Sequence, residues 1–465
     1  MTSNLENTPE AIEKSASPWR KEFFALMTIG LPMAATQLVQ FSINIIDVVM
    51  IGRLGPTHLA AGGLGLVLFY VLFVAGMGPA VATSPMVSQA LGANSDDVRD
   101  ARRSVRMGLW VVGIAAPVCS IIYFFAEEFA LMLGQPADVA RLAEPYVLAL
   151  VPGLPFALGV IVLRNFLAAI ERARAPLYVI IATTAINALL NYLLIYGNWG
   201  FPRLELVGAG IASSLSHAIG FFALVAYINW EARAKRFDLF KRFFKPDWPR
   251  FFEVARLGWP ISITIGFEAM LFNAALFLMG RIGVNEMAAY QVALNVAATA
   301  FMMPLGLSQA GAVRVGLMAG AKNLPGVRRA SLMSILACIG AIMLFAIPVM
   351  LFPNQIAGFY LEADDASNAI VLGLVVSFLP IAAAFALFDA IQVAAGQALR
   401  GLKDVRVPMI LTGISYWVIG FPIAAWLGLS TPFGAVGVWW GLLASLFAAS
   451  VTLGGRLWWI TRDDA

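Results

Sequence analysis

Three acidic residues are distinctive because they lie well inside long apolar segments: Asp47, Glu268 and Asp389. The other acidic residues fall near segment ends, in loops or in the termini. A charged side chain at the centre of a bilayer costs about 2.5–3.5 kcal/mol on insertion scales, and such residues mark functional sites. Because we expect no Lys or Arg at the same depth, these three carboxylates predict a path for cations.

Glu268 and Asp389 are predicted to share one depth in the membrane. At 1.5 Å per residue, Glu268 lies about 18 Å from one end of its segment and Asp389 about 16 Å from the opposite end of its own. Two neighbouring carboxylates can share a proton or a cation. We therefore expect a site for H⁺ or Na⁺ at this pair, completed by Thr264 and Gln392. The alternative is a structural pair that shares a proton.

A second group of polar residues lies within the first apolar segment, at spacings of three and four residues. They are Gln37, Gln40, Asn44 and Asp47. This spacing places all of them on one helical face. A partner pair, Asn187 and Asn191, occupies the fifth segment at a spacing of four. We expect a cavity floored by Asp47 and walled by these two Asn residues. Hydrogen bonding between helices is the alternative reading of the Asn and Gln residues.

Polar residues also recur at a spacing of four in the eighth segment, where they are Gln291 and Asn295. They are predicted to line the cavity of the second half of the chain. Four Trp residues near the ends of the last segment are expected to anchor it at the membrane surface. These are Trp439, Trp440, Trp458 and Trp459.

The elements that must position these residues are membrane helices. The 465 residues are 60% hydrophobic, and the mean hydropathy is +0.82. Apolar runs of about 20 residues are long enough to span a bilayer as helices. Twelve occur, at 24–51, 60–85, 104–126, 143–170, 174–197, 207–230, 251–280, 287–316, 330–353, 367–397, 406–428 and 434–459. The predicted fold class is all-α integral membrane.

The basic residues predict the orientation of these helices. Of 31 Lys and Arg residues, only Arg53, Arg141, Arg203 and Arg281 fall on the side opposite the termini. Arg164, Arg172 and Arg174 are assigned to the side of the termini. Basic residues concentrate on the cytoplasmic side of membrane proteins. Both termini are therefore predicted to be cytoplasmic. The net charge of +4 is attributed to basic residues that face lipid headgroups, and it does not indicate nucleic-acid binding.

The two halves of the chain resemble each other at an offset of 228 residues. Pro32 matches Pro260 and Thr36 matches Thr264, and the same offset relates Gly78 to Gly306 and Gly92 to Gly320. An even number of helices per copy gives both copies one orientation. We predict a cytoplasmic segment at 1–23, an N-lobe of six helices at 24–230 and a cytoplasmic linker at 231–250. A C-lobe of six helices at 251–460 and a cytoplasmic tail at 461–465 follow.

Few residues are available for catalysis. The two histidines, His58 and His217, and the two cysteines, Cys119 and Cys338, form no metal, redox or nucleophile–base motif. We therefore expect no enzyme activity, no cofactor and no nucleic-acid partner.

Several motifs occur in a family-specific order and spacing. They are DVVMIGRLG at Asp47–Gly55, QALGA at Gln89–Ala93, AAYQVALN at Ala288–Asn295, MPLGLS at Met303–Ser308 and GQALRG at Gly396–Gly401. In these motifs nearly the whole chain resembles the multidrug and toxic compound extrusion (MATE) transporters, in their NorM-like branch. Two positions depart from patterns in that family. Tyr290 stands where many relatives carry His, and Asn191 stands where another branch carries a second acid.

The resemblance implies two pseudo-symmetric lobes, a central cavity and alternating access. It implies a monomeric, multi-pass protein of the bacterial inner membrane that exports organic cations and hydrophobic drugs in exchange for Na⁺ or H⁺. The acidic positions of the family match Asp47, Glu268 and Asp389.

The alternative function is a flippase for lipid-linked saccharides or another lipid precursor. Its anionic cargo would require Lys or Arg inside the cavity, where we expect none. An intramembrane enzyme would need a nucleophile–base pair or a metal cluster. A channel would not need an internal repeat that can pack in two alternative ways.

Overall fold

A computed structural model of the protein describes residues 17–94, 98–360 and 369–462. All regular secondary structure in these ranges is helical, and twelve helices are long and apolar enough to cross a membrane. They are α1 Pro18–Gly52, α2 Pro56–Ala93, α3 Val98–Met132, α4 Ala137–Ala169, α5 Arg174–Tyr196, α6 Glu205–Trp230, α7 Trp248–Ile282, α8 Val284–Gly320, α9 Leu324–Leu351, α10 Ala369–Gly401, α11 Arg406–Ser430 and α12 Gly434–Thr461. The predicted all-α fold with twelve membrane helices is confirmed.

Several helices extend beyond the apolar runs that predicted them, because capping residues rather than hydrophobicity determine where a helix begins. The Ser17 hydroxyl accepts a hydrogen bond from the backbone of Arg20, so α1 begins at Pro18 instead of residue 24. Asp247 caps α7 in the same way. Cap residues satisfy amide groups that have no partner inside the helix. Residues 1–16 and 463–465, which belong to the predicted terminal segments, lie outside the described residues.

The segment between α6 and α7 is tied to the N-lobe. Arg103 donates two hydrogen bonds to Asp247, at 2.5 Å and 3.3 Å. This guanidinium holds the pKa of the Asp247 carboxyl below its usual value. The Arg106 guanidinium and the Trp110 indole donate to backbone carbonyl groups of Arg242 and Phe243. The connection between the halves is therefore packed against α3.

Aromatic side chains fill the core of the second half around Trp439. This residue is fully buried, and its ring contacts Tyr290, Phe378 and Phe385 at centroid distances of 5.4–6.1 Å. The prediction that Trp439 anchors α12 at the membrane surface is wrong. Hydropathy locates the ends of a helix but cannot tell which face packs inward. Trp440, its neighbour, is exposed as expected.

The internal repeat appears in the backbone of α1 and α7. Pro32 lies inside α1, and the hydroxyl of Thr36 donates to its carbonyl at 2.8 Å. Pro260 and Thr264 form the same arrangement in α7, also at 2.8 Å. Proline removes a backbone hydrogen bond of the helix and bends it.

The two lobes touch through equivalent glycines. Gly78 of α2 lies against Gly258 of α7, where a Cβ atom would come within 2.2 Å of the Gly258 carbonyl oxygen. Gly306 of α8 lies against Ala34 of α1, where a Cβ atom would come within 2.3 Å of backbone atoms. Gly92 and Gly320 make similarly close contacts with the opposite lobe. The residues matched by the repeat thus form a two-fold related interface.

This interface lies in one half of the molecule, which contains the beginning of α1 and α7 and the end of α2 and α8. We call it the closed half. Arg314 of α8 donates two hydrogen bonds of 2.8 Å to the Glu22 carboxylate of α1, and Gln89 of α2 donates to the Gly401 carbonyl. Gly78 donates its backbone N–H to the Ser262 hydroxyl. Among the residues that the structure describes, the hydrogen bonds between the helices of the two lobes fall in this half.

Candidate ion and substrate sites

The first site surrounds Asp47 at the junction of α1, α5 and α6. The Asn191 side chain donates to one carboxylate oxygen at 2.6 Å, and the Ser213 hydroxyl donates to the other at 3.4 Å. Asn191 also donates to the Asn187 side chain at 3.2 Å. Asp47, Asn187 and Asn191 are all buried. The structure therefore brings together the acid and the two Asn residues that the sequence placed in one cavity, with neutral partners throughout.

The remaining polar residues of α1 separate into two environments. Gln37 and Gln40 accept hydrogen bonds from the Arg164 guanidinium at 2.9 Å and 3.4 Å. Asn44 is exposed. The regular spacing places these residues along one helical face, but it could not indicate which neighbouring helix each residue meets.

Arg164 belongs to the fourth predicted segment, and the sequence analysis assigned it to the side of the termini. It is a buried residue of α4, five positions before that helix ends, and its side chain reaches α1. An apolar run sets only approximate helix ends, and an Arg side chain spans more than one helical turn. The Arg164 side chain therefore lies among the helices rather than at the lipid headgroups, and its side of the membrane stays a prediction.

The second site lies inside the C-lobe. Asp389 of α10 is 4% exposed, and it lies close enough to Glu268 of α7 for their charges to interact. Arg400 and Tyr416 interact electrostatically with Glu268 as well. The predicted pair of acids is thus assembled, together with a guanidinium that the sequence analysis did not place there. The expectation that no basic side chain reaches the depth of these acids is wrong.

Buried oxygen atoms without a hydrogen-bond partner in the described part of the chain occur on α10, at Asp389 and three residues later, and on α11, at Tyr416 and one turn earlier. They are Asp389 Oδ1, Gln392 Oε1, Thr412 Oγ1 and the Tyr416 hydroxyl. Tyr416 interacts electrostatically with both acids. Buried polar atoms are normally paired, and unpaired ones require an explanation. Carboxylate, amide and hydroxyl oxygens are the ligands of hard cations. The cluster can accept a proton, Na⁺ or an ordered water molecule.

Tyr416 belongs to a π-helical turn of α11, Ile414–Gly420. Such turns often occur at functional sites. The sequence analysis missed Thr412 and Tyr416. Their spacing of four residues in an apolar segment is the signal that could have identified them.

Three further predicted residues have other partners or are exposed. Thr264 is buried, but its hydroxyl donates to the Pro260 carbonyl. Gln291 and Asn295 are exposed on α8, and the Asn295 side chain donates to the Gln291 carbonyl at 2.9 Å. Tyr290, the residue next to them, donates its hydroxyl to the Phe272 carbonyl and packs on Trp439. Gln392, three residues after Asp389 on α10, is buried with its amide oxygen unpaired among the described residues, and its role in the site stays a prediction.

A family model described as MatE matches the chain twice, over residues 32–193 and 260–426. The two matches begin at Pro32 and Pro260, the equivalent prolines of the repeat. Across the described residues, there is no group of three or more His, Cys, Asp or Glu side chains that could hold a metal ion.

Curated relatives resemble the chain over nearly its full length. A probable multidrug resistance protein NorM of Rhizobium meliloti (strain 1021) is 42% identical, with 97% of this chain and 96% of the relative covered. A protein of the same name from Mesorhizobium japonicum is 40% identical, with 96% and 95% covered.

Solved structures resemble the fold. The outward-facing conformation of a multidrug resistance MATE family transporter of the MOP superfamily superposes with a TM-score of 0.86. It is 21% identical, and the match covers 95% of this chain and 97% of the other. The eukaryotic MATE transporter AtDTX14 superposes with a TM-score of 0.82 and is 21% identical, with 95% and 96% covered.

Proposed function

Because this chain belongs to the MatE family, we propose that it is a cation-coupled antiporter that exports organic cations and hydrophobic drugs. The relatives named as multidrug resistance proteins support an efflux role. The observation that carries the coupling proposal is the Glu268–Asp389 cluster, with its unpaired oxygen atoms in the C-lobe. The coupling ion is Na⁺ or H⁺, and the carboxylates exchange it for the cargo.

The geometry of the C-lobe explains how an ion could drive transport. With both acids ionised, their repulsion inside an apolar lobe is unfavourable. A bound Na⁺ or proton neutralises part of this charge and removes the repulsion. Gln392, Thr412 and Tyr416 supply neutral oxygens for Na⁺, while a proton needs only the two carboxylates. Loading and unloading of the cluster would therefore change the packing of α7 and α10.

The Asp47 site is proposed to attract the cargo. Its carboxylate has only neutral partners, Asn191 and Ser213, so its negative charge is not compensated by a nearby cation in the described structure. An organic cation can supply that charge. Exposed polar residues on α1 and α8, Asn44, Gln291 and Asn295, would line its path.

Alternating access would follow from the repeat. The lobes are joined in the closed half, and in the proposed orientation this half faces the cytoplasm. The structure would then be an outward-facing state of a monomer in the bacterial inner membrane, with both termini cytoplasmic. Similarity to a transporter described as outward-facing supports this assignment. Separation of the glycine contacts would open the closed half toward the cytoplasm.

The coupling proposal is tested with purified protein in liposomes that contain a fluorescent organic cation. A Na⁺ gradient and a pH gradient are imposed separately, and release of the cation is followed. We expect release with one of the two gradients. Glu268→Gln and Asp389→Asn should each reduce this gradient-driven release at least tenfold, because each replaces an ionisable carboxylate of the cluster with a neutral amide.

Glu253→Gln is the matched control for these variants. Glu253 lies on α7, as Glu268 does, but it pairs with Arg250 at the helix start. The control should retain most of the release. Full release by both cluster variants would contradict the proposal.

The flippase remains a second candidate because of one observation. Arg164 and Arg400 line a small cavity between the lobes, and once the lobes separate these two guanidinium groups could contact an anionic headgroup. Failure of both gradients to release the cation, together with movement of a labelled lipid pyrophosphate across the same vesicles, would favour this candidate.

A further inference from the structure

A small cavity lies between the lobes in the closed half, and its lining does not include Asp47, Glu268 or Asp389. Helices of both lobes contribute to its wall. Its polar lining residues are Ser84, Arg164 and Asn165 from the N-lobe and Gln309, Gln397 and Arg400 from the C-lobe. Two guanidinium groups from opposite lobes therefore face one enclosed space.

The charge of Arg164 is not neutralised by its surroundings. The residue is 7% exposed, and the oxygens that accept its hydrogen bonds belong to the neutral side chains Gln37 and Gln40. In the described ranges no carboxylate forms an ion pair with it. Its Nε atom is buried and has no hydrogen-bond partner there. Burying a charge without a counterion is costly, so this environment is suited to a bound anion.

The other polar groups can also serve an anion. Arg400 interacts electrostatically with Glu268, but a guanidinium has five N–H groups and can contact two partners. The amide oxygen of Gln309 is buried without a partner among the described residues. Rotation of this amide by half a turn presents its NH₂ group to the cavity instead.

The size of the cavity limits the ligand. Its volume of about 20 Å³ leaves room for little more than one water molecule. A monatomic anion is only modestly larger than water, whereas a pyrophosphate or an organic anion would not fit without separating the lobes. We propose that this cavity binds a chloride-sized anion, which links the N-lobe and the C-lobe in the closed half.

The inference does not rest on cation coupling. The site consists of groups from both lobes, so it exists only while the closed half is joined. By linkage, an anion that binds this state and not the separated state stabilises it.

The test is a thermal unfolding titration of the purified full-length protein in detergent, followed by tryptophan fluorescence. Chloride replaces gluconate at constant Na⁺ concentration and ionic strength. We expect a saturable rise of the unfolding midpoint by a few degrees, a similar rise with bromide, and none with gluconate. No gradient or cargo is present, so a failure of the antiport proposal would not affect the result.

Variants assign the effect to this cavity. Arg164→Gln should abolish the chloride-dependent rise, and Gln309→Leu, which retains both arginines, should weaken it at least several-fold. Arg106→Gln is the control, because Arg106 is another buried arginine of the N-lobe with a backbone carbonyl as its partner. It should keep the wild-type response.

Equal midpoints of the wild-type protein in chloride and gluconate would overturn the proposal, and the cavity would then hold water. An unchanged chloride response in both Arg164→Gln and Gln309→Leu would overturn it as well.

Discussion

At the scale of single residues, the most constrained group is the Asp47 carboxylate. Its shortest hydrogen bond comes from Asn191, a fully buried residue that also holds Asn187 in place. Where a related branch carries an acid, this chain has an amide donor. The amide fixes the carboxylate without supplying a proton, which agrees with placing ion coupling in the C-lobe.

Replacement of this donor should be costly for stability. Asn191→Leu leaves the Asp47 carboxylate and the Asn187 amide with unpaired buried oxygens, each worth about 1–3 kcal/mol. We expect a lower unfolding midpoint in detergent and weaker binding of organic cations. Asn44→Leu changes an exposed amide of the same α1 stripe and should leave the midpoint within about 1 °C. Equal effects of the two substitutions would show that the Asp47 network contributes little.

The candidate sites could be predicted only in part. Helical spacing identified the face that carries Asp47 and matched it with Asn187 and Asn191, because a charged residue in an apolar helix must point inward. Spacing gives no information on which helices are adjacent or how far a long side chain reaches. For this reason the positions of Arg164, Arg400, Thr412 and Tyr416 became evident only in three dimensions.

At the scale of helices, close packing depends on small residues at matched positions of the repeat. Gly78 allows α2 to approach α7 until backbone atoms touch, and Gly306 does the same for α8 and α1. The sequence offset predicted that these residues are equivalent. It did not show that they form the contact between the lobes, since an internal match contains no information about the partner surface.

Gly78→Ala should therefore open the closed half. The added Cβ atom would lie 2.2 Å from the Gly258 carbonyl oxygen and 2.6 Å from the Ser262 amide nitrogen, and backbone atoms cannot move aside locally. The reporter is a cysteine introduced by Ser88→Cys in a background in which Cys119 and Cys338 are replaced. This cysteine should react faster with a water-soluble maleimide when Gly78→Ala is also present than when it is absent. The same change in rate is expected for Gly306→Ala, because the two contacts are equivalent.

Gly63→Ala is the control on the same helix. A Cβ atom at Gly63 meets no other atom within 4 Å, and alanine favours a helix over glycine by up to about 1 kcal/mol. With Gly63→Ala, the labelling rate of the Ser88→Cys reporter should match that of the reporter protein without a glycine substitution. Equal labelling of Gly78→Ala and Gly63→Ala would mean that the lobes are not held together by this contact.

At the scale of the whole molecule, two rigid lobes are held together mainly in one half. The core of the first half also includes Ala310 and Val313 of α8, and the contact between the lobes combines apolar side chains, glycine packing, a few hydrogen bonds and one buried ion pair. Separation of the lobes would expose the apolar side chains of this contact, while the core around Trp439 belongs to the C-lobe helices. A core within one lobe is the physical requirement for movement of that lobe as a unit.

The ion pair between Glu22 and Arg314 should control how often this half is closed. Its side chains are 8% and 11% exposed, and both hydrogen bonds are 2.8 Å long. Removing one partner of a buried pair costs about 3–5 kcal/mol, because the remaining charge stays buried. Arg314→Gln should therefore shift the population toward separated lobes. Spin labels at Arg174→Cys on the N-lobe and Ala321→Cys on the C-lobe, both exposed, would report this as a longer distance.

The double variant Glu22→Gln with Arg314→Gln separates the effect of charge from that of packing. It has no uncompensated charge, and two neutral amides can still form a hydrogen bond. We expect its distance distribution to return most of the way to that of the unmodified protein. If the single and double variants instead show the same long distance, the bidentate geometry itself holds the lobes together. If neither variant changes the distance, the glycine contacts alone determine closure. The ion pair then serves only to neutralise the buried charge of Arg314.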